Sequence, residues 1–239
     1  MRRKCWALVV LLLAAVCAAA PCIDFEAGVI GGGGFSFLFG SYLDAKAAML
    51  AETGSTTPGS LGRSLATLFP DWGVGAYGEV GILSWLGVRL EPRLAFMGAS
   101  RLALTDTELP FCRYSLSFAT LLVPLLARAK LSLGPGFLTV SAGPLYGAIV
   151  GEITTVDRYV STVMKGSLTT DFGQVQFFGV SGGAGYSLPL GMGVAALELR
   201  ADCAITPATG QDGVLGGEMF PLGVALAASY GVRFGGGAR

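Results

Sequence analysis

The segment GVRLEPRLAF (87–96) sets Arg89, Glu91 and Arg93 on alternate positions, with Val88, Leu90, Leu94 and Phe96 between them. A period of two is that of a β-strand, whose successive side chains point to opposite faces. One face of this strand is charged and the other is large and apolar. Which face meets water decides the fold.

Composition narrows the choice. Of 239 residues, 52% are hydrophobic and only 13% are charged, whereas a soluble domain carries about 25% charged residues. So few charges cannot clothe an ordinary aqueous surface. Beyond the N-terminal region no stretch of about 20 residues is apolar without interruption, as a spanning helix requires. The nearest, LSFATLLVPLLARAKL (116–131), contains Pro124 and ends in Arg128 and Lys130. The remaining membrane solution is a closed barrel, which satisfies every backbone group without leaving an edge. A formal net charge of zero argues against capture of nucleic acid. The 37 glycines follow no three-residue period, which excludes a collagen-like chain.

The alternation recurs along the chain. In PLGVALAASYGVRF (221–234), Leu222, Val224, Leu226, Ala228, Tyr230, Val232 and Phe234 share one apolar face. Gly223, Ala225, Ala227, Ser229, Gly231 and Arg233 share the other, which is small or charged. Apolar outside and small or polar inside is the pattern of an outer-membrane strand. VAALELRADCAI (194–205) repeats it with Glu198, Arg200 and Asp202 inward. Further strands are predicted over 25–40, 72–83, 87–96, 115–131, 137–150 and 174–188, giving eight. Segments 84–87, 132–136 and 188–192 are short and rich in Gly or Pro, as tight hairpins require. Segments 41–71, 99–113, 152–171 and 206–217 are longer and more polar. The expected fold is therefore all-β: an eight-stranded antiparallel transmembrane β-barrel, with short periplasmic turns and longer external loops. A soluble carrier barrel of the lipocalin kind would need a charged exterior, and the polar-side positions here are largely Gly, Ala and Ser. Pro92, on the outward face, requires either a local distortion or an acceptor left unpaired opposite it.

The first 20 residues read as a signal peptide. Arg2, Arg3 and Lys4 precede the apolar run CWALVVLLLAAV (5–16), and CAAA (17–20) offers small residues for cleavage near Ala19 or Ala20. A lipidated Cys17 or Cys22 is the alternative, opposed by Val16 and Pro21 where a small residue is expected. Residues 21–239 then form one exported barrel domain with 13 basic and 16 acidic residues, near −3.

LLVPLLARAKL (121–131), followed after a Gly-Pro turn by GPLYGAIVG (143–151), resembles the middle hairpin of small outer-membrane barrels of the PorT-like family. VRLEPRLAF (88–96), FFGVSGGAGY (177–186) and LELRADCAIT (197–206) are similar to its neighbouring strands. The eight-stranded OmpX- and OmpW-type barrels share that architecture. The chain departs from the PorT-like pattern at Leu122, where a Glu is common, and at Ala201, where an aromatic is often found. The resemblance implies an integral outer-membrane protein surrounded by lipid, and no activity. It also implies that assembly machinery reads the last strand through its terminal aromatic, here Phe234.

Candidate chemistry is sparse. Histidine is absent, which removes Ser-His-Asp and Cys-His sites and the commonest metal ligand. Cys22, Cys112 and Cys203 are too scattered for a zinc pattern; Cys112 and Cys203 are either isolated thiols or a pair near the outer rim. GGGG (31–34) lacks the Lys-Ser/Thr and the helix that a phosphate loop needs. No catalytic residue, cofactor site or metal site is assigned. The main constellation is a set of inward charges: Glu26, Glu79, Arg89, Glu91, Arg93, Arg128, Lys130, Glu198, Arg200 and Arg233. They are expected to pair as a structural network that fills a barrel only just wide enough for side chains; a gated polar path is the alternative. Trp72, Trp85, Tyr146, Tyr186, Tyr230 and Phe234 are expected in interfacial girdles rather than a ligand cleft. The expected role is non-enzymatic: a rigid barrel displaying surface loops, with an external ligand at the loops as partner. The alternative is a narrow, OmpW-like channel for small hydrophobic solutes.

Overall fold

A computed structural model describes residues 24–39, 61–67, 69–105, 110–159, 163–170, 175–210 and 220–234. The signal-peptide reading falls outside these residues. Twelve strand segments follow in order: β1 (Asp24–Phe39), β2 (Leu61–Thr67), β3 (Phe69–Leu83), β4 (Leu86–Leu90), β5 (Arg93–Thr105) and β6 (Pro110–Leu133). After them come β7 (Gly136–Tyr159), β8 (Val163–Thr170), β9 (Val175–Leu190), β10 (Gly193–Ala204), β11 (Thr209–Gly210) and β12 (Phe220–Phe234).

Eight staves close a ring. β1 pairs with β3, β3 with β4 and β5, and both of these with β6. β6 then pairs with β7, β7 with β9, β9 with β10, β10 with β12, and β12 returns to β1. Every pairing is antiparallel. The ring has no edge.

Pro92 interrupts one stave without shifting it. Gly78↔Leu90 and Gly75↔Arg93 lie on one continuous register, so no bulge forms between β4 and β5. The Ala76 amide donates to the Pro92 carbonyl at 3.1 Å. The reciprocal bond of that pair is the one a proline cannot give. On the other side of the stave the Glu91 amide donates to Pro124 at 3.2 Å, and Pro124 likewise returns nothing. Two ladder bonds are lost side by side.

Three two-residue turns, Ser84–Trp85, Gly134–Pro135 and Gly191–Met192, join staves at one rim. Gly134 and Gly191 adopt φ of 60° and 63°, which tight hairpin turns require at their first position. The third turn begins later than the sequence suggested, since Pro189 and Leu190 still pair with Val194 and Gly193.

At the opposite rim the expected loops are too long. β2 occupies part of 41–71, β5 and β6 run to Thr105 and back from Pro110, and β7 and β8 fill most of 152–171. Thr209 and Gly210 pair with Gln176 and Val175 inside 206–217. The correction has a physical cause. Once the register is fixed within the band, the ladder propagates outward through backbone bonds alone. Beyond the band neither face has to be apolar, so no dyad marks those residues in the sequence.

The two faces have opposite chemistry. Val74, Val140, Leu199 and Leu226 point outward and are more than half exposed, while Arg89, Glu91 and Arg200 point inward and are at most 1% exposed. Aromatic rings sit at both rims of the apolar face. Trp72 stacks on Phe96 at 4.2 Å and Tyr146 meets Phe178 at 5.5 Å at one rim; Phe25 meets Phe234 at 6.0 Å at the other. Trp85 and Tyr230 stand outward beside the latter pair. Along β3, Trp72 to Ile82 spans roughly 33 Å of strand, or about 25 Å along an axis crossed at about 40°. That is the height of a membrane-spanning apolar band.

The assignment of faces predicts a labelling pattern. With Cys22, Cys112 and Cys203 replaced, Leu90→Cys and Leu226→Cys should react with a lipid-phase reagent in reconstituted protein. Ala95→Cys and Ala225→Cys should stay unlabelled, and the inverse pattern would exchange the two faces.

Candidate functional site

The lumen is the only place where the chain concentrates ionisable groups among the described residues, and neighbouring staves bring them together in register. Glu26 and Glu79 are direct cross-strand partners on β1 and β3, an arrangement that repels unless a cation intervenes. Arg89, the partner of Glu79 on β4, supplies it: its Nε lies 3.0 Å from Glu79 and its Nη2 3.7 Å from Glu26. The Arg89 guanidinium also lies 3.9 Å over the ring of Tyr77, whose hydroxyl donates to Glu26 at 2.8 Å. At the tight-turn rim Arg233 reaches Glu26 at 3.3 Å.

Two further cations share Glu79: Arg128 at 2.9 Å and Lys130 in closer contact. Arg128 extends across the lumen to Glu198, and Glu198 accepts from Arg200 at 2.7 Å. Arg200 pairs with Glu91 in turn, which lies 3.8 Å from Arg89. Nine of the ten predicted charges thus form one connected network. The tenth, Arg93, stands apart and pairs with Asp202. Space for this network comes from missing side chains: a Cβ on Gly231 would lie 2.1 Å from the Tyr77 hydroxyl.

The predicted charge set leaves out two acids, one of which, Asp202, the sequence had already placed inward. The ten predicted residues carry four acids and six bases, an excess no sealed lumen tolerates. Asp202 on β10 and Asp71 on β3 bring the balance to six and six. The inward position of Asp202 was legible from the dyad of β10, but Asp71 fell in a segment read as loop.

A second omission is apolar. Leu116, Phe118, Leu122 and Leu126 of β6 point inward, as do Leu145 and Ile149 of β7 and Phe177 of β9, all at most 3% exposed. One side of the lumen is thus filled with hydrocarbon and the other with ion pairs. The signal was present in LLVPLL (121–126), an apolar run without alternation, which marks a strand buried on both faces.

Among the described residues no group of three or more His, Cys, Asp or Glu side chains could hold a metal ion. Cys203 is a free, outward thiol, so it does not pair with Cys112, whose side chain lies outside the described residues. Trp72, Trp85 and Tyr230 are about half exposed on the outer wall. Tyr146 donates to Gln176 at 3.1 Å, and Tyr186 to the Leu133 carbonyl at 2.9 Å. The rings line the wall's two rims, not a common cleft.

A closed ring, an apolar exterior and a charged, filled interior occur together only where the solvent outside is hydrocarbon. This is a transmembrane β-barrel. No family profile and no curated protein matches the chain. Among solved structures it is similar to the outer membrane protein OprG of Pseudomonas aeruginosa, at 12% identity and a TM-score of 0.41, over 89% of this chain and 95% of that one. It is also similar to Ail, the attachment invasion locus protein of Yersinia pestis, at 11% identity and a TM-score of 0.35, over 87% and 98%. The translocator domain of the autotransporter NalP from Neisseria meningitidis matches at 9% identity and 0.35, over 98% and 96%. The barrel assignment rests on the register and on the two faces, independently of these likenesses.

The network predicts a specific pattern of stability. Arg200→Met leaves Glu91 with only the more distant Arg89 and removes one of the cations on Glu198, and should cost about 3–5 kcal/mol. Adding Glu91→Gln should restore part of that loss, because it removes the stranded charge. Urea unfolding in lipid vesicles, followed by tryptophan fluorescence, measures both; equal losses in the single and double variants would show that the pair is uncoupled.

Proposed function

We propose that this chain is a non-enzymatic integral protein of the bacterial outer membrane that presents a rigid β-surface for binding at the cell exterior. The observation that carries this reading is the sheet beyond the upper aromatic rim. There β2 pairs with the end of β5, β5 with the start of β6, β6 with the end of β7, and β7 with β8. Five strands continue outward on one side of the barrel, whereas among the described residues β1, β10 and β12 end lower. Among the described residues β2 pairs with β5 alone and β8 with β7 alone. Each therefore presents an outer edge of backbone donors and acceptors, the usual template for adding an extended chain. In this reading the partners are the surrounding outer-membrane lipid, an external polypeptide at the sheet edge and loops, and assembly machinery that reads the last strand at Phe234.

The filled lumen supports the same reading. Ion pairs and packed leucines fill the described part of the lumen, so reconstituted protein should show little steady conductance in planar bilayers. A wide, stable pore would contradict it. Shortening the β7–β8 hairpin tests the binding surface. Thr154 and Ser167 are cross-strand partners, so a two-residue Gly turn can replace 155–166 without altering the ring. The shortened protein should keep its heat-modifiable migration and lose capture of extended peptides from a displayed library. Undiminished capture would move the binding function elsewhere.

A second reading, a narrow route for small apolar solutes that leave sideways, is favoured by a crevice of about 550 Å³ near the upper aromatic rim, lined by Trp72, Phe96, Phe118 and Val150. Met97 and Trp72 line both this crevice and the inner cavity. Liposome uptake of a small apolar dye, lost when Met97→Trp closes the gap, would favour this route over display.

A further inference from the structure

The sheet that continues outward has two faces, and their charges differ. Phe96 of β5 belongs to the outer wall, so by strand period residues 100, 102 and 104 share its face. Register carries that face across the sheet. Leu104 is opposite Arg63, Leu102 opposite Arg113, Arg113 opposite Arg158, and Val156 opposite Lys165. Four bases therefore lie on the outward face. Its one acid among the described residues is Glu152, opposite Thr169. Glu152 is two rows below Lys165 and three below Arg158, about 13 and 20 Å along the strands, beyond the screening length of about 8 Å. The other face is balanced instead, with Arg101 and Asp157 on either side of Tyr114.

Arg113 and Arg158 are direct cross-strand partners, and like charges so placed repel. In the lumen the same conflict, Glu26 opposite Glu79, is resolved by Arg89 between them. On the outward face no described residue is placed to do this, so the offsetting anion comes from the surroundings. The rows beneath indicate its source. Above the stacked rings of Trp72 and Phe96 the face passes through Ser117, Thr154 and Ser167, then Thr67 and Ser100. Ring, hydroxyl and base thus follow in the order of acyl chain, sugar and phosphate, on a wall continuous with the lipid-facing one. Height narrows the choice further. Lys165 is level with Ser100, and Arg113 and Arg158 with Leu102, which sets them about 10–15 Å above Phe96 along an axis crossed at about 40°. An ordinary phospholipid headgroup reaches only about 5–7 Å beyond the hydrocarbon. We propose that this face binds the phosphorylated oligosaccharide headgroup of an outer-leaflet glycolipid, with a phosphate at the Arg113–Arg158 pair and Lys165 and Arg63 flanking it. Arginine suits that place because guanidinium matches phosphate oxygens two at a time. This rests on the outer-membrane reading above, and it leaves the edges of β2 and β8 open to an external chain.

The test measures binding of fluorescent lipopolysaccharide, truncated to its phosphorylated inner core, to the full-length protein folded in detergent micelles. Unlabelled competitors are the same glycolipid, its phosphatase-treated form, phosphatidylglycerol and soluble heparin. The phosphorylated glycolipid should compete about tenfold better than each of the others. Arg113→Ser and Arg158→Ser, checked for folding by heat-modifiable migration, should each weaken binding about fivefold. Arg101→Ser, on the opposite face, should leave it unchanged. If a variant fails to fold, the competitors still decide with the unmodified protein. Equal competition by the phosphatase-treated form or by phosphatidylglycerol would overturn the proposal. Equal competition by heparin would reveal a site for soluble polyanions and overturn it as well, as would a folded Arg113→Ser, Arg158→Ser double variant that binds as before. Recovery of the protein outside the outer-membrane fraction would overturn the outer-membrane reading itself, which the micelle assay does not test.

Discussion

Charge inside a tube too narrow for free water is the constraint on which the rest of this barrel depends. Six acids and six bases project into the lumen from six of its eight staves. Each would be prohibitive alone, and together they are tolerable because register sets opposite signs side by side. A one-residue slip at any stave would move its charges to the apolar face and the leucines of that face inward. Arg89 shows how tight this is. It separates two glutamates that the ladder places directly opposite each other, and it reaches Tyr77, Glu91 and Glu198 as well. The network therefore specifies register more than it adds stability.

Glycine makes that interior geometrically feasible. The run 31–34 places Gly32 and Gly34 inward against β12, where a Cβ on Gly34 would come within 2.0 Å of the Val224 carbonyl. The close approach of β1 and β12 closes the ring and leaves the lumen volume to the long arginines of the opposite staves. The leucines of β6 and β7 fill what the arginines do not reach. The result is a barrel filled through its membrane-spanning part by its own side chains.

Rigidity below and an open sheet above belong together. A protruding sheet with two edges would be a liability if its base were mobile. Here the same staves that carry the densest packing, β6 and β7, are those that extend furthest, 24 residues each. The proline seam lies on the neighbouring stave. It weakens the ladder between β3 and β6 locally while the register on both sides of it holds.

The sequence by itself determined the architecture. Alternation gives each strand its two faces, and the solvent of each face follows from the scarcity of charge, so VRLEPRLAF and LELRADCA were readable as lumen-and-lipid strands without coordinates. It determined the inward set of ten charges for the same reason, since side-chain period is a local property of the backbone. It did not determine who pairs with whom. That Glu79 serves three cations, that Arg93 leaves the network for Asp202, and that Asp71 joins them follow from the stagger between staves, which no single strand encodes. The outward continuation of β2, β5, β6, β7 and β8 was equally invisible. Those residues are held by backbone bonds to a neighbour already in register, and such bonds leave no trace in side-chain pattern.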